Sequence, residues 1–209
     1  MKILAFDLST ARGSIAWRED DRLPFHRDFA NDRRHSGLFF ENLRACLDDN
    51  GRPDSIVVGL GPGSYAGTRI AIATATGLQM AHRAELIGIS SLCALDVEPS
   101  EYFVIGDARR ESFFFAHVVA GQLVEGPALC SEKDLRSRLN EIDAPVYAQE
   151  KLSFNAVVAY PSARILVERM LSGTGKISRP PLEPIYLREP HITKPRRGIG
   201  ILADEKFTG

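Results

Sequence analysis

The sequence predicts an α/β fold made of two related βββαβα lobes. Three observations carry this prediction. Apolar strand-like segments and helix-like segments follow one another in the same order in both halves. Ile3-Leu4-Ala5-Phe6-Asp7 and Phe103-Val104-Ile105-Gly106-Asp107 stand in corresponding places, each an apolar run that ends in Asp before a short turn. The 209 residues, 44% hydrophobic and 25% charged, have the balance of an ordinary globular chain with enough apolar surface for two cores. We read the order as a duplication of one unit of roughly 100 residues. Three antiparallel strands, extended by parallel ones and covered by helices, give a mixed sheet buried on both faces.

In the first half, 2–7, 13–18 and 22–30 read as strands separated by polar turns. A helix is expected over about 35–49, ended by Asn50-Gly51-Arg52-Pro53. The apolar strand 55–60 runs into a glycine-rich loop, a helix over about 67–82 and a short strand at 85–89. In the second half, 102–107, 112–119 and the weaker 122–129 are strands. Ser131 opens a helix over 132–140, with Asp134 placed as in a capping box. A strand follows at 145–148. Pro161 and Gly173 bracket a helix over 162–172. These elements divide the chain into an N-terminal lobe, 1–98, a smaller C-terminal lobe, 99–175, and a Pro-rich connector and tail, 176–209. From Lys176 to Arg197 six basic residues face two acidic ones, so this last segment reads as a basic arm.

The charges balance almost exactly, 26 Lys and Arg against 27 Asp and Glu, which excludes the global basic field of a protein that holds nucleic acid alone. Cys46, Cys93 and Cys130 form no CxxC or Cys/His cluster, so neither a disulfide framework nor a zinc site is expected. The histidines, His26, His35, His82, His117 and His191, offer no helical metal pair, and we expect no metal site. An odd number of scattered thiols fits a reducing cytoplasm. The apolar run Ile3 to Phe6 is too short for a signal-peptide core or a membrane span, and no lipidation motif stands at either end.

The most distinctive segment is Gly61-Pro62-Gly63-Ser64-Tyr65-Ala66-Gly67-Thr68-Arg69. It follows a buried strand and opens a helix, which is where free N–H groups and the helix dipole attract anions. It lacks the Lys-Ser/Thr pair of a P-loop, and Ala66 breaks the GxGxxG dinucleotide pattern. With Asp7 at a strand end, the residues Gly61, Gly63, Ser64 and Gly67 are candidates for a vestigial phosphate site; a tight turn packed close to the strand is the alternative. The corresponding turn of the second half, Asp107-Ala108-Arg109-Arg110-Glu111-Ser112, has bulky charged residues in place of glycine, so a phosphate clamp between the lobes reads as degraded. The 67–82 helix is apolar or small nearly all round, and 35–49 carries a wide apolar arc. We expect a partner interface at Leu38, Phe39, Leu43, Cys46 and Leu47 on the first helix and Ile70, Ala71, Thr74, Gly77 and Leu78 on the second; both helices covering one crowded sheet is the alternative.

Four segments, KILAFDLST, GLGPGSYAGTRI, IGDARRESFFF and PIYLREPHITK, resemble in order the motifs of the TsaB (YeaZ) family, GPGSYAGTRI most specifically. The resemblance spans most of the chain. It implies the actin-like ATPase (ASKHA, RNase H-like) fold of two lobes. It also implies a part in making N6-threonylcarbamoyladenosine at position 37 of tRNA. The catalytic subunit in that system is the paralogue TsaD, which has a metal-binding histidine pair absent here. TsaB-like proteins act as non-catalytic partners that dimerise with TsaD and support recruitment of the ATPase TsaE. The family's contact maps onto the helices near 35–49 and 67–82, and a homodimer is expected when the chain is alone. Asp-Leu-Ser-Thr and Tyr65-Ala66 depart from the family's Asp-Thr-Ser/Ala-Thr and Phe-Thr, and the family's long third-strand insertions are trimmed, so a small second lobe is expected. No cofactor of its own is expected, any Mg-ATP being held weakly or by partners. tRNA is expected to be contacted indirectly or through the basic arm, where Arg188, Arg196 and Arg197 stand; packing of the arm on the first lobe through Ile185, Tyr186 and Leu187 is the alternative. The rival function is a small ASKHA ATPase or phosphotransferase using Asp7 and the Gly61–Gly67 loop. A peptidase has no nucleophile–base or metal motif to support it.

Overall fold

The computed structural model describes residues 1–31 and 37–188. The first sheet contains β1 (Lys2–Asp7), β2 (Arg12–Glu19), β3 (Arg22–Ala30), β4 (Ser55–Gly59), β5 (Glu85–Ile89) and β11 (Ile177–Ser178), in the order β11-β5-β4-β1-β2-β3. The second contains β6 (Glu101–Asp107), β7 (Ser112–Val119), β8 (Gln122–Ser131), β9 (Val146–Ala148) and β10 (Val157–Val158), in the order β10-β9-β6-β7-β8. Without β11 the two orders are the same, strand for strand. β1 and β6 each pair antiparallel on one side and parallel on the other, which is the duplicated topology the sequence predicts.

Alternation along the central strands gives the first sheet two apolar faces. Leu4, Phe6, Ile15, Trp17, Ile56 and Val58 point to one face, covered by α1 (Gly37–Asn50) and α2 (Tyr65–His82). Ile3, Ala5, Ala16, Val57 and Ile89 point to the other, covered by α4 (Ala163–Ser172) and a 3-10 turn at Ser91–Ala94. In the second lobe α3 (Glu132–Asn140) packs on β7 and β8. Ser131 caps α3 by accepting from the Asp134 N–H at 3.1 Å, while its hydroxyl donates to the Asp134 carboxylate. Gly173, at φ 65°, ends α4 in a left-handed residue, and Thr174 N–H bonds back to Arg169 O at 2.9 Å.

Two features depart from the sequence reading. No helix separates β9 from β10, where the first lobe has α2. More important, α4 falls within the expected 99–175 lobe but buries Ala163, Ile165, Leu166 and Val167 against the first sheet. The reason is area: β9 and β10 are three and two residues long, whereas the back of the first sheet is a wide apolar face that needs a cover.

The docking of α4 is fixed by a cap from the other lobe. Ser14 of β2, fully buried, accepts the Ala163 N–H at 2.9 Å. The residue in the N-cap position, Ser162, makes no side-chain cap. Ser14→Ala should therefore destabilise the protein by about 1–2 kcal/mol, because it orphans a buried N–H. Ser162→Ala should not destabilise it and, by removing a buried hydroxyl that has no partner, should stabilise it by up to about 1–3 kcal/mol. Urea denaturation of the two variants checks the contrast.

Candidate functional site

Asp7 ends β1 inside the molecule, with no solvent exposure. Its Oδ1 accepts from the Ser9 N–H at 2.7 Å and the Ser9 hydroxyl at 2.6 Å. Its Oδ2 accepts from the Ser91 hydroxyl, and Ser91 Oγ in turn accepts the Gly61 N–H at 2.9 Å. One carboxylate thus joins the end of β1, the segment after β5 and the start of the glycine-rich loop. Burial pushes the Asp7 carboxyl above the ordinary range, and the bonds from Ser9 and Ser91 act against that shift. The approach is so close that a side-chain carbon at Gly59 would fall 1.7 Å from Asp7 Oδ2.

The loop from Gly61 to Gly67 closes on the β1–β2 turn. Ser64 N–H donates to Ser9 O at 2.6 Å, and Ser64 Oγ accepts the Gly67 N–H at 3.2 Å as the N-cap of α2. A side-chain carbon at Gly63 or Gly67 would stand 2.0 Å from the carbonyl oxygens of Ser9 and Leu8. The amides of Gly61, Ser64 and Gly67, which a phosphate would need, are therefore all bonded within the chain. The structure does bring the five residues Asp7, Gly61, Gly63, Ser64 and Gly67 together, but around a backbone turn. Sequence reasoning placed Ser9 in the hydroxyl turn beside Asp7 but missed Ser91 and Gly59. The signals present were a Ser-Ser pair directly after an apolar strand and a lone glycine inside the run SIVVGL.

The second-lobe turn is spent in the same way. Asp107 accepts the Arg109 N–H at 2.6 Å and pairs with the Arg109 guanidinium at 3.0 Å. Arg109, Arg110 and Glu111 all adopt left-handed backbone, at φ 64°, 53° and 57°, a conformation that costs about 1–2 kcal/mol per non-glycine residue. The arm reaches across both lobes. β11 joins the edge of the first sheet, and Leu182 and Ile185 pack on its core. Ile185 N–H bonds Leu60 O at 2.8 Å. Arg69 lies 4.0 Å over the Tyr65 ring and donates from Nε to the Tyr186 hydroxyl at 2.8 Å. Leu187 packs on the second-lobe core instead of the first. Residues 189–209, which hold Arg196 and Arg197, lie outside the described residues, as does His35.

The expected interface divides in two. Phe39, Leu43, Cys46 and Ala71 are buried beneath their helices against the first sheet and present nothing outward. Their spacing of three and four residues is the sheet-facing stripe of each helix. Burial also pushes the Cys46 thiol up to about 12, so it is inert as well as hidden. Leu47, Ile70, Thr74 and Leu78 are half-buried, and Leu38 and Gly77 are exposed. Besides Leu38, the outward apolar side chains of these helices are Phe40, which belongs to the expected apolar arc, and Tyr65 and Met80, the last 78% exposed, which were not expected contacts. A side-chain carbon at Gly77 would meet nothing within 4 Å.

Among the described residues, no group of three His, Cys, Asp or Glu side chains is arranged to hold a metal, and no helix is long and apolar enough to cross a membrane. The raised carboxyl of Asp7 sets a sign for pH dependence. The stability it contributes is fully present below its unfolded pKa and is lost as pH rises through its folded value. Wild type should therefore lose stability relative to Asp7→Asn as pH is raised from about 4 towards 8. Paired urea titrations measure this; a difference that grows in favour of wild type with rising pH would contradict it.

Comparison with known proteins follows the same lines. The family model "TsaD: tRNA N6-adenosine threonylcarbamoyltransferase" matches residues 32–160. An uncharacterised protein of Mycobacterium tuberculosis is 28% identical over 196 residues, covering 90% of this chain and 92% of that one. The tRNA threonylcarbamoyladenosine biosynthesis protein TsaB of Haemophilus influenzae is 26% identical, with 90% and 94% covered. TsaB of Escherichia coli is 30% identical over 99 residues, 46% of this chain and 42% of that one. The solved structure of YeaZ from Pseudomonas aeruginosa superposes with a TM-score of 0.68 at 22% identity, covering 89% of this chain and 99% of that one, which establishes a shared fold. The family model covers more than half of the chain, and with the relatives named TsaB beside it the chain belongs to the TsaB (YeaZ) family of tRNA threonylcarbamoyladenosine biosynthesis proteins.

Proposed function

We propose that this chain is a non-catalytic partner subunit in the synthesis of N6-threonylcarbamoyladenosine at position 37 of tRNA, pairing with a TsaD-type paralogue that carries the chemistry. One observation supports this above the others: the Asp7 carboxylate, the residue a phosphoryl-transfer site would use, has both oxygens engaged by Ser9 and Ser91 behind a loop pressed onto backbone. The Mg-ATP of the pathway is held by partners, including the TsaE-type ATPase whose recruitment this subunit supports, and the setting is the cytoplasm. The arm is packed against the protein body through Leu182 and Ile185, which favours leaving the tRNA to the paralogue.

The partner face is the outer side of α1 and α2. Met80, Phe40 and Leu38 supply exposed apolar area there. Gly77 gives α2 a bare stripe, at a cost of about 1 kcal/mol in helix propensity relative to Ala. No contact among the described residues repays that cost, whereas close approach of a partner's helix would. The same face closes a homodimer when the paralogue is absent, in an isologous contact.

Sedimentation of Met80→Asp and Leu43→Asp separates surface from core. Met80→Asp should keep its melting temperature, yet lose the homodimer and bind the paralogue at least about tenfold more weakly. Leu43→Asp should fail to fold, since it places a charge under α1. A Met80→Asp protein that dimerises and binds the paralogue as wild type does would refute the interface.

A further inference from the structure

A groove of about 570 Å³ opens where the two lobes meet. Its floor is the crossing of two chain segments. Leu95 bridges Pro161, Ser162 N–H donates to Ala94 O at 2.8 Å, and Asp96 N–H donates to Tyr160 O at 3.2 Å. Nothing described above uses this groove.

Ser162 lies in that floor, 97% buried, and its hydroxyl has no hydrogen-bond partner. A buried hydroxyl left unmet costs about 1–3 kcal/mol. The usual outlet for a serine in this position, capping the helix that follows, is closed because Ser14 from the other lobe already accepts the Ala163 N–H. The hydroxyl is thus left unmet beneath the floor of the groove.

The walls specify a charge. Asp28, Asp96 and Glu98 line the groove against a single lining cation, Arg12. Asp96 is paired with Arg164 at 2.8 Å, while Glu98 has no cation partner among the described residues. Arg12 itself displays the recognition mode: it pairs with Asp28 at 2.6 Å and stands 5.8 Å over the Tyr160 ring. Tyr147 and Glu98 offer a second aromatic ring and a second carboxylate in the same groove. The rim specifies a shape. Val157 and Val158, 64% and 40% exposed, form β10, the last strand of its sheet among the described residues, none of which pairs with its outer edge. A free edge with exposed β-branched residues accepts an extended chain by strand addition.

We propose that this groove binds an extended basic segment of a partner protein. The segment lies along β10, and one of its Lys or Arg side chains enters beside Tyr147 to meet Glu98. Charge complementarity and the free strand edge identify this occupant together; a small amine would use the walls but not the edge.

Calorimetric titration with blocked peptides tests the proposal on the full chain. The probes are Val-Lys-Val-Arg-Val, the acidic Val-Glu-Val-Glu-Val, and spermidine. The basic peptide should bind with a sub-millimolar dissociation constant and the acidic one should give no heat. Glu98→Lys, at an exposed position, should weaken the basic peptide by roughly tenfold or more. Ser162→Ala, beneath the floor, should leave the affinity within about twofold of wild type and should not lower the melting temperature. Absence of binding at millimolar peptide would overturn the proposal. So would equal binding of the acidic peptide, or affinity untouched by Glu98→Lys. Spermidine binding as tightly as the basic peptide would replace the peptide with a polyamine and overturn it equally.

Discussion

The Asp7 carboxylate is the constraint on which the first lobe is built. A carboxylate shut away from water costs several kcal/mol unless its lone pairs are met. Here they are met by Ser9 from the β1–β2 turn and Ser91 from beyond β5, so those two segments must converge on the end of β1. Ser91 also takes the Gly61 N–H, which sets the start of the glycine-rich loop. The loop then sets Ser64, Ser64 caps α2, and the position of α2 determines which of its residues face outward. A group that elsewhere would face a phosphate is here the keystone of the helix that presents Gly77 and Met80.

The two lobes are interlocked more deeply than a duplicated chain requires. α4 belongs by sequence position to the second unit, yet it closes the back of the first sheet and takes its cap from Ser14 of β2. The arm makes the reverse journey, adding β11 to the first sheet and setting Leu187 into the second core. Both crossings tie the lobes together, and the turns after Asp7 and Asp107 each bond their carboxylate to their own backbone. A subunit that serves as a rigid platform for partners benefits from such ties, whereas one that opens and closes on a nucleotide would be hindered by them.

Much of this was legible in the sequence, for definite reasons. The duplication shows because β1 and β6 keep the same apolar run and terminal Asp. α2 shows because small residues and a glycine-rich approach mark a helix packed close to a strand. The keystone did not show, because Ser91 is far from Asp7 in the chain and nothing local to a serine reveals a distant carboxylate. The faces of α1 were also misassigned. Phe39, Leu43 and Cys46 form the apolar stripe a helix uses to cover a sheet, and the same pattern was read as an outward ridge, while the exposed Met80 looks unremarkable in sequence. The destination of α4 was hidden in a similar way: amphipathicity says that a helix has a face to bury, but the short β9 and β10 decide that the other lobe buries it.

The central claim is that Asp7 holds structure and does no chemistry. The most direct test is tRNA modification reconstituted from the TsaD-type paralogue, its ATPase partner and this chain carrying Asp7→Asn, with assembly verified by sedimentation in the same samples. The account predicts an initial rate within about twofold of wild type. A fall of roughly a hundredfold or more in a variant that still folds and assembles would contradict it, and would return Asp7 to the role of a catalytic carboxylate.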